Sequence, residues 1–129
     1  MPVAKTLRVL VVDDQESMRG MVRAYVRRLG IDNVDMAESG SEALKELMKR
    51  PYNLVVSDYH MVSGSGLDLL KSMRAHPVLK KTPVIMVTGN SDSETVSKVV
   101  QAGVNGYVVK PVSFEALKSR VEKVLGALT

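Results

Sequence analysis

Leu54-Val55-Val56-Ser57-Asp58 is the stretch on which the fold of this chain turns. Three apolar residues, two of them β-branched, and a small serine lead straight into an aspartate. A short apolar run of this kind predicts a strand buried on both faces, as in parallel sheets. Asp58 then stands where the strand ends. In open α/β sheets that carboxyl edge is where ligands bind.

Three similar runs end in notable polar residues. Leu7 to Val12 leads into Asp13-Asp14, Val84 to Val87 into Thr88-Gly89, and Gly106 to Val109 into Lys110-Pro111. Val34 to Ala37 supplies one more short strand. Helical patterns lie between them. Met18, Met21, Val22, Tyr25, Val26 and Leu29 repeat at three- and four-residue spacing, with Gly30 as a left-handed stop. Arg19, Arg23 and Arg27 form a second stripe, expected to face water. Ser39 to Glu42 and Ser91 to Glu94 have capping-box spacing ahead of two further helices, the first closed by Pro51 and the second by Gly103. Leu67 to Met73 reads as a helix after a mobile loop, Tyr59 to Gly66. Ser113 precedes a last helix carrying Leu117, Val121, Val124, Leu125 and Leu128. Five strands alternating with five helices imply an α/β fold, a doubly wound parallel sheet covered on both faces. A chain of 129 residues without repeat or linker is expected to be a single domain, 1–129, with no attached output domain.

Composition narrows the function. With no cysteine there is no disulfide, zinc thiolate or thiol nucleophile, which fits a cytoplasmic location. No signal-peptide pattern and no apolar stretch of spanning length is present, so no membrane association is expected. Residues 1–64 hold nine basic and nine acidic side chains, and residues 65–129 hold nine and five. The whole net charge of +4 therefore lies in the second half. Without aromatic residues interleaved among those cations, DNA binding is not expected. A solvated surface accounts for most of them, and an output face meeting acidic partners is the sharper reading.

Taken singly, each strand-end residue has a bland explanation, such as the N-cap of the next helix. Taken together they define a chemistry. Three carboxylates at one edge repel one another unless a hard divalent cation, Mg²⁺ or Mn²⁺, neutralises them. Lys110 adds a fixed positive charge and Thr88 a hydroxyl. A cation, a lysine and a hydroxyl are the parts that stabilise a transferring phosphoryl group, with one carboxylate as nucleophile. Asp58, alone at the middle strand, takes that role, and Asp13 and Asp14 hold the metal.

The segments Val11-Val12-Asp13-Asp14, Val56-Ser57-Asp58, Val87-Thr88-Gly89 and Gly106-Tyr107-Val108-Val109-Lys110-Pro111 resemble the receiver domain of two-component response regulators. The likeness covers essentially the whole chain and is greatest to the CheY-like single-domain kind, known from bacterial chemotaxis. It implies a flavodoxin-like sheet with strand order 2-1-3-4-5. It also implies Mg²⁺-dependent transfer of a phosphoryl group from a sensor histidine kinase to Asp58. Carried over by position, Asp13, Asp14, Asp58 and the backbone carbonyl of His60 bind the metal. Thr88 and Lys110 contact the phosphoryl group, and Tyr107 is the switch aromatic. The Lys110-Pro111 bond is expected to be cis. The face built by the fourth helix, fifth strand and fifth helix, with Lys98, Tyr107, Lys118 and Lys123, would bind a downstream protein.

The chain departs from the family pattern in three places. Val62 stands where a proline is usual, which should loosen the loop and alter metal affinity. His60 follows the phosphoacceptor by two residues and, with Asn90, would flank the entrance and modulate the lifetime of the phosphorylated state. Gly89 leaves room beside the phosphoryl group. The protein is thus expected to be no enzyme beyond its own phosphorylation and dephosphorylation. Two alternatives are a metal-dependent aspartyl phosphatase, which would want an acid where His60 stands, and a phosphorylation-independent adaptor with a degenerate site. A dinucleotide site at Gly64-Ser65-Gly66 is excluded because Leu69 replaces the third glycine of that fingerprint.

Overall fold

The computed structural model describes residues 2–61, 64–89 and 93–129. Strands β1 (Arg8–Val12), β2 (Asn33–Ala37), β3 (Leu54–Asp58), β4 (Val84–Thr88) and β5 (Gly106–Val109) form one parallel sheet. Its order is β2-β1-β3-β4-β5. Helices α1 (Glu16–Arg28), α2 (Gly40–Lys49), α3 (Gly66–Ala75), α4 (Ser93–Gln101) and α5 (Phe114–Leu125) alternate with the strands. The expected fold class and strand order are those observed.

Alternation along the strands builds two apolar layers. Val9, Val11, Leu54, Val56, Ile85, Val87 and Val108 meet Val22 and Val26 of α1 and Leu117 and Val121 of α5. Leu10, Val12, Val55, Val84 and Met86 meet Ala43 and Leu47 of α2, Leu69, Leu70 and Met73 of α3, and Val99 of α4. Every residue of β3 and β4 is buried, which is why these strands read as continuous runs. Each fully buried aliphatic side chain contributes about 1.5–3 kcal/mol. The middle of the sheet is therefore the rigid support on which the strand ends are carried.

Helix ends follow local chemistry. Gly30 takes φ +97° after α1, a conformation open to glycine at little cost. Ser39 Oγ accepts from Glu42 N at 3.2 Å, and Ser113 Oγ from Ala116 N at 3.1 Å. A capping box that the sequence reading missed opens α3: Ser65 Oγ accepts from Asp68 N, and Asp68 Oδ2 from Ser65 N, each at 3.1 Å. Its signal was the serine three residues ahead of an acid. The Ser91-Asp92 half of the other expected box lies outside the described residues.

Two expectations need correcting. The stretch expected as an open loop after Asp58 is partly ordered, because His60–Met61 pairs antiparallel with Gly64–Ser65. Val62 lies outside the described residues. The arginine stripe of α1 does not face water throughout. The Arg19 side chain is only 12% exposed, with Nη1 donating to the Asp13 carbonyl at 2.9 Å and Nη2 3.6 Å from Glu38 Oε1.

Candidate phosphoacceptor site

Strand register brings the chemistry to one level. Val12 pairs with Ser57, Asp58 with Val87 and Thr88 with Val109. Asp13 and Asp58 therefore stand level along the sheet edge, with Thr88 one residue beyond them and Lys110 two. The backbone ladder continues past the strands and fixes this level. Asp13 N donates to Ala37 O at 3.1 Å, Tyr59 N to Val87 O at 2.8 Å, and Lys110 N to Thr88 O at 2.8 Å. The Lys110-Pro111 bond is cis, as expected.

Carboxylate oxygens of Asp13, Asp14 and Asp58 lie within 4.8 Å of one another. Asp13, Asp58 and Thr88 are buried, and Asp14 is half-buried. The Lys110 ammonium lies 2.9 Å from Asp58 Oδ1. It sits off the direction of a hydrogen bond, so Oδ1 is buried with no hydrogen-bond partner among the described residues. A buried charged oxygen in that condition is costly unless a further cation faces it. Burial raises the Asp13 carboxyl above its ordinary value; the Gln15 N–H opposes that, the Asp58 charge adds to it, Lys110 opposes and Asp14 adds. All the donors are carboxylate oxygens, the set a hard divalent cation prefers. The residues present fit such an ion.

Supporting groups hold the acids in place. Gln15 N donates to Asp13 Oδ1 at 2.9 Å, and Ser57 Oγ to the Asp58 carbonyl at 3.0 Å. Gly66 N donates to the Tyr59 carbonyl at 2.8 Å. A Cβ on Gly66 would collide with the Asp58 carbonyl oxygen and the Met86 sulfur. The start of α3 can approach the end of β3 this closely only with glycine there. Gly89 leaves open space, its Cβ position being 4.0 Å from Lys110 Cδ.

The remaining residues lie around this centre. His60 is exposed, its ring edge-on to Tyr59 at a centroid separation of 4.8 Å. Asn90 lies outside the described residues. Tyr107 is half-buried against the α2–α3–α4 layer. Lys98, Lys118 and Lys123 are exposed, and Lys98 pairs with Glu94 at 3.3 Å. The sequence reading missed Arg19 as a support for the Asp13 backbone. An arginine six residues after an acid carries no local signal for such a contact.

The parallel α/β sheet, with an acidic cluster and a lysine at its carboxyl edge, is the arrangement of a receiver module. Residues 9–122 match the response regulator receiver domain family, and the chain belongs to it. It is a phosphorylation-dependent response regulator with a CheY-like receiver domain. The chain is 40% identical over 124 residues to chemotaxis protein CheY-3 of Vibrio cholerae, covering 96% of this chain and 95% of that protein. It is 39% identical to chemotaxis protein CheY of Pseudomonas aeruginosa, over 92% of this chain and 95% of the relative. The crystal structure of V. cholerae CheY4 superposes with a TM-score of 0.87 at 32% identity, covering 92% of this chain and 98% of that one. A response regulator receiver protein from Pseudomonas putida gives 0.83 at 32% identity, covering 91% and 96%. Among the described residues no helix is long and apolar enough to cross a membrane.

Proposed function

We propose that Asp58 accepts a phosphoryl group from the phosphohistidine of a sensor histidine kinase. The observation that carries this reading is the buried Asp58 Oδ1, unbonded among the described residues, 2.9 Å from the Lys110 ammonium and beside two further carboxylates. A carboxylate oxygen of Asp58 attacks phosphorus as the phosphorus–nitrogen bond to the kinase imidazole breaks. Lys110 neutralises charge on the transferring group, and the Thr88 hydroxyl donates to one of its oxygens. Asp13, Asp14 and Asp58, with the His60 carbonyl, would hold Mg²⁺, which offsets negative charge between carboxylates and phosphoryl oxygens. Water later hydrolyses the acyl phosphate and resets the switch, with His60 and Asn90 modulating how long the phosphoryl group lasts.

Phosphorylation is read out through the α4–β5–α5 face. Tyr107 is the switch aromatic, turning inward as Thr88 moves toward the phosphoryl group. Exposed Lys98, Lys118 and Lys123 suit an acidic segment of a downstream protein. The names of the relatives support a chemotaxis-type role.

Intact-mass spectrometry after incubation with acetyl phosphate, with and without Mg²⁺, tests this beside Asp58→Asn. The expected result is a Mg²⁺-dependent adduct of one phosphoryl group, absent from the variant. Steady phosphate release from varied organic phosphates would favour the phosphatase alternative. No adduct and no turnover would favour the adaptor.

A further inference from the structure

We infer that Arg120 is a positioning residue for Tyr107: its side chain passes the open edge of the sheet where Gly106 leaves space and holds the ring in its resting place. This inference rests on the reading of Tyr107 as the switch aromatic.

The geometry begins with the edge. β5 is the outermost strand of the sheet beside β4. Val108 faces the layer covered by α1 and α5, and Tyr107 faces the opposite layer. Arg120 belongs to α5, so its route to Tyr107 leads around the edge strand. The Arg120 guanidinium carbon lies 5.9 Å from the Tyr107 ring centroid, within the range of a cation–π contact.

Gly106 makes the route possible. It is buried, and its φ is not positive, so its backbone conformation does not call for glycine. Space does. A Cβ at Gly106 would stand 2.6 Å from Arg120 Cδ and 2.9 Å from Cγ. The space a side chain would fill is taken by the arginine stem. Among the described residues Arg120 has no carboxylate within 4.0 Å. Its charge is thus directed to the ring and to solvent.

A contact made in one switch state and lost in the other biases the equilibrium between them. If the ring turns inward on phosphorylation, it leaves the guanidinium behind. Arg120 therefore favours the resting state, and any ligand that draws Tyr107 inward works against it. By linkage, removing the contact tightens binding of that ligand by the same factor.

The experiment uses beryllofluoride with Mg²⁺ as the phosphoryl mimic and the Tyr107 ring resonances, assigned with Tyr107→Phe, as a second readout. Arg120→Ala is expected to shift the ring resonances of the free protein and to tighten beryllofluoride binding roughly two- to five-fold. Arg120→Lys, which keeps a cation on a flexible stem, should restore most of the resting behaviour. Gly106→Ala, which displaces the stem, should act like Arg120→Ala. The double variant should match the single one, because each substitution removes the same contact.

Unchanged ring resonances and unchanged affinity in Arg120→Ala would overturn the inference. So would full additivity of the two substitutions. Failure of the unsubstituted protein to bind beryllofluoride would count against the phosphoacceptor reading instead. The ring resonances would then decide the Arg120 contact by themselves, since they are read in the free protein.

Discussion

The Lys110 ammonium sits 2.9 Å from Asp58 Oδ1, although Asp58 ends β3 and Lys110 follows β5, with β4 between the two strands in the sheet. That pair brings a cationic charge to the acidic cluster. It offsets only part of the repulsion among three carboxylates.

Lys110→Ala leaves Asp58 buried without that charge. Stability in metal-free buffer is expected to fall by about 1–3 kcal/mol, less than for a wholly buried pair because the lysine is partly exposed. Urea unfolding measures it. In an Asp58→Asn background the same lysine substitution should cost little, since the charge it faced is gone.

Asp13→Asn removes one carboxylate from the cluster. In chelator-treated protein the unfolding temperature is expected to rise, because repulsion and the burial of a charge are both relieved. With Mg²⁺ at about a hundred times its Kd, the unsubstituted protein should gain about 2.7 kcal/mol. The variant should gain almost nothing at the same concentration. Melting curves with and without Mg²⁺ separate the two effects.

Away from the site, Asp35 Oδ2 accepts from Tyr52 Oη at 2.7 Å and from Arg8 Nη1 at 3.0 Å. Burial by itself would raise the Asp35 carboxyl, but the Tyr52 hydroxyl and the two arginines outweigh it and hold it below its ordinary value. Burial, with the Asp35 carboxylate beside it, pushes the Tyr52 hydroxyl up to about 12. A raised value means stability that is whole below the unfolded value of about 10 and is lost as pH rises toward the folded one. The depressed Asp35 works the other way: its contribution is present above its unfolded value and is lost as pH falls through the folded value. Melting temperature should therefore fall between pH 10 and 12, and Tyr52→Phe should flatten that alkaline limb. At neutral pH the same variant should lose about 1–2 kcal/mol through the missing hydrogen bond.

Two helical glycines are expected to respond in opposite directions. A Cβ at Gly20, inside α1, would meet nothing within 4 Å. Gly20→Ala should stabilise by about 0.5–1 kcal/mol, the difference in helix propensity. Gly66→Ala would drive its methyl group into the Asp58 carbonyl and Met86, and should destabilise by about 1–3 kcal/mol. It should also slow the proposed phosphorylation, because the strain falls on β3 at Asp58. Chemical unfolding and the acetyl phosphate reaction report the two effects.

Much of this was legible along the chain. Fully buried strands have to be apolar without alternation, so β1, β3 and β4 announced themselves. Each ended in a polar residue that a buried strand would not otherwise carry. Gly30 and Ser113 marked helix ends through chemistry confined to a few residues. Contacts that depend on long side chains crossing between elements were not legible. Arg19 reads as one more exposed helix arginine, yet it is turned inward to the Asp13 carbonyl. Arg74 likewise spans to Thr82, Gly103 and Asn105, and no spacing rule reports that.

The sequence by itself determined the class of fold, the order in which strands and helices follow, and which polar residues stand at strand ends. Those features depend on local periodicity and burial. Only the tertiary structure decided that Lys110 reaches Asp58, that Gly66 must lack a side chain, and that Arg120 lies over Tyr107. Strand register and helix packing set those distances, and both arise from contacts between residues far apart in the chain.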